Sequence, residues 1–333
     1  MGHSHAVFLY TLQFELPARL PYNQRVSDGA ANASINASTR YCAVLGHPIR
    51  HSASPAMQNA ALAALNLNWR YLAFDVHPDN LAEAIAGAKA MGFIGLNLTV
   101  PHKLLALDLV DAVEARAKLW GAVNTIVFET RDAQDAWVPL ASAGDAAIKE
   151  IRSHGFNTDA DAIVQSLKED FQWADMRGAT VLLLGAGGAA RSAALRLAEE
   201  DVAKIYLVNR TEEHARQLAA NLTAHHPRLS VIHGYPRDSV DLVVNATSLG
   251  LKPNDPLPID RAWLESFRPP RIYDMIYRPK ETALLRAARA AGCRAANGLG
   301  MLLYQGAEAL KLWSGAQPPL QIMRAALEKN IHE

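Results

Sequence analysis

The spacing of apolar and polar positions alternates along the chain between a pattern typical of strands and a pattern typical of helices. From Tyr41, the run YCAVLG is typical of a strand, and Ser54 before Pro55 predicts a helix with serine at its cap. Further strands are predicted at YLAFDV, FIGLNL and GAVNTIVF, with helices over 79–91 and from Pro101. Such alternation predicts an α/β sheet covered by helices.

A second α/β unit is predicted to begin near Arg177. ATVLLLG is a continuous apolar run, typical of a parallel strand that is buried on both faces, and a helix from about Ala189 to Glu200 follows it. KIYLVN, LSVIHG, DLVVNA and RIYDMI are later predicted strands, and helical segments after Gly300 close the chain. The length of 333 residues is consistent with two domains.

Composition narrows the class of partner. Lysine and arginine number 33 and aspartate and glutamate also 33, so the formal net charge of zero argues against a nucleic acid or an anionic membrane. The two cysteines, Cys42 and Cys293, lie far apart without metal-ligand spacing, which favours reduced thiols in the cytoplasm and no metal site. We therefore expect a small polar substrate and no membrane span.

The first 40 residues differ from the rest of the chain. Phe8 to Leu16 alternate as a strand does, and GAANASINAST is typical of a linker. The segment lacks the basic start of a signal peptide. His3 and His5 could bind a metal, but a solvated leader is the preferred interpretation.

A dinucleotide site is predicted at GAGGAAR, which follows the apolar strand and opens a helix. Gly185 permits the tight turn, Gly187 lets the backbone approach a pyrophosphate, and Ala190 lets the helix pack closely on the strand. Unpaired N–H groups at the helix start would face the phosphates. The residues predicted to contact the cofactor here are Gly185, Ala186, Gly187, Gly188 and Ala189.

The choice between NADP and NAD is predicted from the end of KIYLVNRT. An NAD enzyme usually has an acidic residue at this position, which would repel a 2′-phosphate. Here the position is Asn209, followed by Arg210 and Thr211, and a guanidinium can grip a phosphate with two hydrogen bonds. The sequence therefore predicts NADP.

Polar side chains interrupt the apolar segments of the first half at two places. In GHPIRHSASP, Ser52 and Ser54 lie where hydroxyls and helix N–H groups converge, which suits a carboxylate, although capping alone would also explain Ser54. In GLNLTVPHK, Thr99 ends a strand and Lys103 follows closely, so that Lys103 is placed to reach a cleft at the sheet edge.

A third polar cluster joins GAVNT, which contains Asn124, with GFNTD, which contains Asp159. Asparagine and threonine beside glycine ordinarily predict turns, so this cluster is not specific by itself. The same holds for each of the other clusters taken alone.

Taken in order, these motifs form a specific series. GHPIRHSASP, GLNLTVPHK, GAVNT and NTD are followed by GAGGAAR, NRT, NATSLGL, DMIYRPKETALL and NGLGMLLYQGA. The series resembles the shikimate dehydrogenase family over all but the first 40 residues. The resemblance implies an α/β fold with a mixed-sheet substrate domain (41–155 plus 300–333), a C-terminal Rossmann-type NADP-binding domain (156–299), a cleft between them, and an N-terminal extension (1–40).

By this resemblance the reaction is the reversible reduction of 3-dehydroshikimate to shikimate by NADPH, with Lys103 and Asp159 as the catalytic pair. The residues implied for the substrate are Ser52, Ser54 and Tyr277 at the carboxylate and Thr99, Asn124 and Gln305 at the ring hydroxyls. Those implied for the cofactor, besides the glycine-rich loop, are Asn209, Arg210, Thr211, Thr247, Ser248, Gly298 and Met301.

Three features depart from the family pattern. Gln58 stands where relatives usually have histidine, and the segment between Thr125 and Asn157 is longer than expected, with a helix predicted near 146–153. The first 40 residues are also additional, and we expect their strand to add to a sheet edge or to pack on the insertion. Since the insertion ends just before Asp159, we expect it to affect access to the cleft.

Other functions remain open from the sequence. A dual quinate/shikimate dehydrogenase would share these motifs, although the two serines favour shikimate. A non-catalytic, ligand-binding regulator would be expected to lack the lysine or the aspartate, both of which are present. An NADP enzyme for an unrelated substrate would not explain the combined Ser, Lys, Asn and Gln residues. A monomer and a homodimer are both compatible with the sequence.

Overall fold

The computed structural model describes residues 35–143, 148 and 150–332. The predicted N-terminal strand, the linker and both leader histidines therefore lie outside the described residues. So do five residues of the insertion, 144–147 and 149.

The described chain contains two β-sheets with helices packed on their faces. The strands are β1 Arg40–Gly46, β2 Trp69–Asp75, β3 Gly95–Leu98, β4 Ala112–Val113, β5 Thr125–Arg131, β6 Trp137–Pro139, β7 Ile151–Phe156, β8 Thr180–Leu184, β9 Lys204–Val208, β10 Ser230–His233, β11 Leu242–Asn245, β12 Arg271–Asp274 and β13 Arg294–Asn297. The helices are α1 Ser54–Ala64, α2 Leu81–Ala90, α3 His102–Leu105, α4 Ala115–Trp120, α5 Asp159–Phe171, α6 Gly188–Glu199, α7 Glu212–His225, α8 Arg261–Phe267, α9 Ala283–Ala290, α10 Leu299–Ser314 and α11 Leu320–His332. The predicted α/β class is confirmed.

The first sheet is mixed, with the order β2-β1-β3-β5-β7-β4 and β6 paired to β5. β1 pairs in parallel with β2 and β3, whereas β5 is antiparallel to β3, β6 and β7. Alternate residues of β1 enter different cores: Cys42 and Val44 pack with α10 and α11, and Ala43 and Leu45 pack with α2. This period of two is the reason that the run YCAVLG is apolar throughout.

The second sheet is parallel, with the order β10-β9-β8-β11-β12-β13. This is the strand order of a Rossmann sheet, whose order reverses beside β8 and leaves a crevice at the carboxyl ends of the strands. β8 is buried on both faces, since Val181 and Leu183 face one core and Leu182 and Leu184 face the other. The glycine-rich loop follows β8 directly and so lies at the switch point.

The C-terminal helices pack on the first sheet, although they follow the second sheet in the chain. Leu303 and Trp313 of α10 and Leu327 of α11 share one apolar core with Val44 of β1 and Met57 of α1. The chain therefore crosses back to the first sheet after β13, and the start of α10 lies between the two sheets.

Two local expectations are wrong. The helix predicted near 146–153 is a strand from Ile151, because β7 pairs with β5 along its whole length. Asp159 does not lie in a turn but is the first residue of α5.

Candidate active site

A cavity of about 190 Å³ opens where the loops after β1, β3 and β12 meet the starts of α5 and α10. Polar and apolar residues of both halves of the chain line it. The sequence-predicted residues on its wall are Ser52, Ser54, Thr99, Lys103, Asp159, Ala189, Tyr277, Gly298, Met301 and Gln305. Motifs that are far apart in the sequence thus meet at one site.

Lys103 and Asp159 form an ion pair in the wall of this cavity. Lys103 Nζ donates a hydrogen bond to Asp159 Oδ2 over 2.6 Å. The Lys103 side chain is 18% exposed and the Asp159 side chain 4%, so the pair is largely shielded from water but open on the lysine side. A charge-assisted bond of this length holds the ammonium group in one place at the cavity.

Asn157 sets the position of Asp159. Its Oδ1 accepts hydrogen bonds from the N–H groups of Asp159, at 3.1 Å, and Ala160, at 3.3 Å, which lie in the first turn of α5 and have no partner within the helix. Its Nδ2 donates to the carbonyl of Ala122 and to Ser192 Oγ on α6, both at 3.0 Å. The sequence interpretation used the NTD motif only for its aspartate and missed this residue.

Ser52 and Ser54 lie together at the start of α1. The N-cap residue of α1 is Ala53, whose side chain cannot accept a hydrogen bond, so the expectation that Ser54 caps the helix is wrong. The backbone N–H of Ser54 donates to Ser52 Oγ over 3.3 Å. Both serines line the cavity near the helix start, where an anion is favoured.

Tyr277 and Gln305 also line the cavity. Burial raises the pKa of the Tyr277 phenol, and a hydrogen bond from the Ala53 backbone partly opposes that rise, so the tyrosine reaches the serine loop. Gln305 Nε2 donates to the carbonyl of Leu302 within α10 over 2.9 Å, which fixes the orientation of its amide.

The two asparagines of the first half have different positions. Asn97, in β3, lines the cavity, although the sequence interpretation did not select it. Asn124 is 1% exposed and does not line this cavity; its Nδ2 donates to Thr158 Oγ1 over 3.0 Å and its Oδ1 accepts from the Thr158 N–H over 2.7 Å. The motif GLNLTVPHK contained the signal for Asn97, as a polar residue in an apolar strand.

The glycine-rich loop has the backbone that a bound phosphate requires. Gly185 has φ +109°, and a Cβ there would lie 3.1 Å from the backbone of Ala246, so the turn requires glycine. A Cβ at Gly187, the N-cap of α6, would meet nothing within 4 Å, so space is open in front of this helix start. Ala190 is fully buried, as expected for a small residue between helix and strand.

The predicted adenosine-phosphate residues follow β9. Asn209 Nδ2 donates to the carbonyl of Thr211 over 2.7 Å and so shapes the turn before α7. Arg210 is exposed and makes no ion pair or hydrogen bond with any residue that the structure describes. Its guanidinium is therefore available to an anion.

Thr247 and Ser248 lie beyond β11, beside the glycine-rich loop. Thr247 Oγ1 donates to Asn245 Oδ1 over 2.7 Å, and a Cβ at Gly185 would lie 3.2 Å from Thr247 Cγ2. The carbonyl of Ser248 accepts from the Leu251 N–H over 3.3 Å. These contacts place the NATS turn against the loop predicted to hold the pyrophosphate.

The described part of the insertion does not contribute to the cavity wall. Within residues 129–143, 148 and 150–155, none lines its wall, so the expected effect on access is not supported there. Instead β5, β6 and β7 extend the first sheet, and Arg131 and Arg152 stack on Trp137 at 4.0 and 4.2 Å.

The described residues contain neither a membrane-spanning helix nor a metal-binding cluster. None of the helices there is both long and apolar enough to cross a membrane. Across the same residues, no group of three or more His, Cys, Asp or Glu side chains is arranged to hold a metal ion. Cys42 and Cys293 are free and buried.

Comparison with known families gives three matches along the chain. Residues 44–126 match the shikimate dehydrogenase substrate binding domain, 165–251 the shikimate/quinate 5-dehydrogenase family and 298–328 the shikimate 5′-dehydrogenase C-terminal domain. A shikimate dehydrogenase (NADP⁺) of Moorella thermoacetica is 43% identical over 306 residues, which cover 89% of this chain and 95% of that protein.

Solved structures show the same likeness. A shikimate dehydrogenase in complex with NADP⁺ has a TM-score of 0.77 and 35% identity, over 90% of this chain and 98% of that one. The enzyme of Thermus thermophilus, solved with NADP(H) and shikimate, has a TM-score of 0.71 and 34% identity, over 87% and 99% of the two chains.

Proposed function

Because the chain belongs to the shikimate dehydrogenase family, we propose that it catalyses the reversible, NADP-dependent reduction of 3-dehydroshikimate to shikimate, a step towards chorismate and the aromatic amino acids. The observation that carries the proposal is the Lys103–Asp159 pair, held at 2.6 Å in the wall of a cavity beside the glycine-rich loop. The Moorella thermoacetica relative is named as an NADP⁺ enzyme, and the first solved structure compared above contains NADP⁺.

The residues around the glycine-rich loop fit NADP. The positive φ of Gly185, the space before Gly187 that no described residue fills and the start of α6 suit a pyrophosphate. Arg210, which pairs with none of the described residues, suits a 2′-phosphate. Asn209, Thr211, Thr247 and Ser248 would complete the adenosine side, and Gly298 and Met301 the nicotinamide side. When bound, the nicotinamide exchanges a hydride with the substrate carbon.

Lys103 manages the proton of this reaction. As the ketone becomes an alcohol its oxygen gains negative charge, which the Lys103 ammonium stabilises before Nζ donates a proton to it. Asp159 holds Nζ in place through its Oδ2, and its carboxylate can also accept a hydrogen bond from the neighbouring substrate hydroxyl. In the reverse reaction Lys103 Nζ accepts the proton of the substrate alcohol, and Asp159 again holds Nζ in place.

The other polar residues of the cavity orient the substrate. Ser52, Ser54 and Tyr277, which lie together at the start of α1, bind the carboxylate. Thr99 and Gln305 bind ring hydroxyls, and Asn97 joins them because its amide lines the same wall. Asn124 was also predicted to bind a ring hydroxyl. Its amide is hydrogen-bonded to Thr158 behind the cavity wall, so its proposed role is to support the residues that line the wall.

We propose the domain division implied by the sequence, with 41–155 and 300–333 as the substrate domain and 156–299 as the NADP domain. The common core of β1, α1, α10 and α11 supports the assignment of the C-terminal helices to the first unit. We further propose that the protein acts in the cytoplasm as a monomer or homodimer, without a nucleic-acid or membrane partner. Formal charge zero supports the absence of those partners.

Steady-state kinetics of the full chain with shikimate or quinate, each with NADP or NAD, tests the proposal. We expect the highest kcat/KM for shikimate with NADP, because Ser52 and Ser54 favour shikimate and Arg210 suits the 2′-phosphate of NADP. Comparable values for quinate would favour the dual-substrate alternative. Binding of shikimate without turnover under any condition would refute the proposal and favour a regulator.

A further inference from the structure

A chain of buried hydrogen bonds runs beneath the cavity wall. The Tyr71 hydroxyl, on β2, donates to Asn97 Oδ1 over 2.8 Å. Asn97 Nδ2 donates to Thr125 Oγ1 over 3.0 Å and to the carbonyl of Asn124 over 3.3 Å. Tyr71 is 1% exposed and does not line the cavity, so it meets the site only through other side chains.

The backbone of Asn124 decides which way the Asn97 amide points. A carbonyl oxygen can only accept, so the Asn97 atom that faces it must be the NH₂ group. Both hydrogens of that group are then engaged, by Asn124 and Thr125. Asn97 Oδ1 therefore faces Tyr71, which uses one of its two lone pairs and leaves the other for a donor in the cavity.

Tyr71 is suited to remain a donor. Burial raises the pKa of its phenol well above the usual range, the nearby Cys42 adds to the rise, and a hydrogen bond from the Ser54 side chain opposes it. The ring is further held by Trp313, with the two ring centroids 6.1 Å apart. The hydroxyl thus keeps its proton and its hydrogen bond to Asn97.

We propose that Tyr71 is a positioning residue for the substrate cavity, because its hydroxyl holds the Asn97 amide so that Asn97 Oδ1 faces the substrate as a hydrogen-bond acceptor. The inference rests on the proposed function, since it assigns Asn97 Oδ1 to a ring hydroxyl of shikimate. Without the phenol hydroxyl, Asn97 Oδ1 loses its anchor and the amide can turn or take up water. The substrate then loses an oriented acceptor in the ground state and in the transition state alike.

The first test is Tyr71→Phe, which removes one oxygen and keeps the ring. Loss of an oriented acceptor affects ground state and transition state equally, so we expect KM for shikimate to rise about tenfold, with kcat within about twofold and KM for NADP unchanged. Tyr273→Phe is the matched control, because Tyr273 is also fully buried and its hydroxyl lies 2.9 Å from Ser166 Oγ. Neither Tyr273 nor Ser166 lines the cavity.

A double-mutant cycle with Asn97→Ala separates positioning from a general loss of stability. If Tyr71 acts mainly through Asn97, Tyr71→Phe should raise KM for shikimate by less than about threefold when Asn97 is already alanine. Thermal unfolding of each variant measures the structural effect, which should be similar for Tyr71→Phe and Tyr273→Phe.

The outcomes distinguish the inference from the function on which it rests. An unchanged shikimate KM in Tyr71→Phe, an equal rise in Tyr273→Phe or full additivity with Asn97→Ala would each overturn the positioning role, while the proposed function stands on wild-type turnover. Absence of shikimate turnover by the wild type would overturn both.

Discussion

Replacement of Lys103 by methionine removes the ammonium group and keeps most of the aliphatic stem. Lys103 Nζ lies 2.6 Å from Asp159 Oδ2, so the substitution abolishes one charge-assisted bond and the proton donor of the proposed reaction. General acid catalysis contributes about 10² to 10⁴ in rate and charge stabilisation a further share. We expect kcat to fall about 10³- to 10⁴-fold, which corresponds to about 4 to 5.5 kcal/mol of activation free energy.

Shikimate affinity should change far less than kcat. The residues proposed to bind the carboxylate of the substrate lie on other elements, so we expect KM for shikimate to stay within about fivefold. The free energy of unfolding should fall by about 1 to 2 kcal/mol, below the value for a fully buried pair, because the Lys103 side chain is 18% exposed. The assay is initial rate by absorbance of the reduced nicotinamide, together with denaturant unfolding.

Lys89→Met is the matched control for this experiment. Lys89 Nζ lies 2.7 Å from Asp111 Oδ2, but the side chains are 32% and 47% exposed and lie outside the cavity wall. We expect unchanged kcat and a stability loss below about 1 kcal/mol. A Lys103→Met enzyme with kcat within tenfold of wild type would refute the assignment of Lys103 as the proton donor.

Three further results are expected. Arg210→Ala should raise KM for NADP at least about tenfold and leave KM for NAD within about twofold, because only NADP carries the 2′-phosphate; an unchanged preference in kinetics would contradict the phosphate clamp. Gly298→Ala should greatly lower activity and stability, since its Cβ would overlap the carbonyl oxygen of Met275, and a wild-type melting temperature would contradict this. Burial alone would raise the pKa of Glu129, but hydrogen bonds from His154 and Arg152 on β7 hold the pKa below its usual value. The ionised Glu129 therefore stabilises the folded protein at pH values above its pKa in the unfolded chain, and this stabilisation is lost as pH falls through its pKa in the folded protein. Glu129→Gln should lower the free energy of unfolding by about 1 to 3 kcal/mol at neutral pH and by much less in acid.

The fold could be predicted from sequence wherever a segment is apolar on its own. The runs at β1 and β8 are buried on both faces, so their residues are apolar whatever their partners are. β7 was mistaken for a helix because IRSHGF has no apolar alternation, and its form depends on pairing with β5. β13, with the sequence RAAN, was missed for the same reason, since pairing with β12 makes it a strand.

A site residue could be predicted from sequence where its role depends on the local backbone conformation. The glycine-rich loop is one such case, because the glycine at position 185 permits the positive φ of +109° that the predicted turn adopts. Local sequence could not show which of Asn97 and Asn124 lines the cavity. Both stand in polar motifs, but the Asn124 amide is taken up by Thr158, whereas Asn97 lines the cavity.

The sequence alone determined the α/β class, the glycine-rich loop and the family, and it predicted Lys103 and Asp159 as the catalytic pair. The tertiary structure alone decided that those two residues meet, across 56 positions of chain, and that Tyr71 reaches Asn97 across 26. The physical reason is that backbone conformation and burial pattern are local properties of a segment. The partner of a side chain, and hence the direction in which its hydrogen bond points, depends on how distant segments pack.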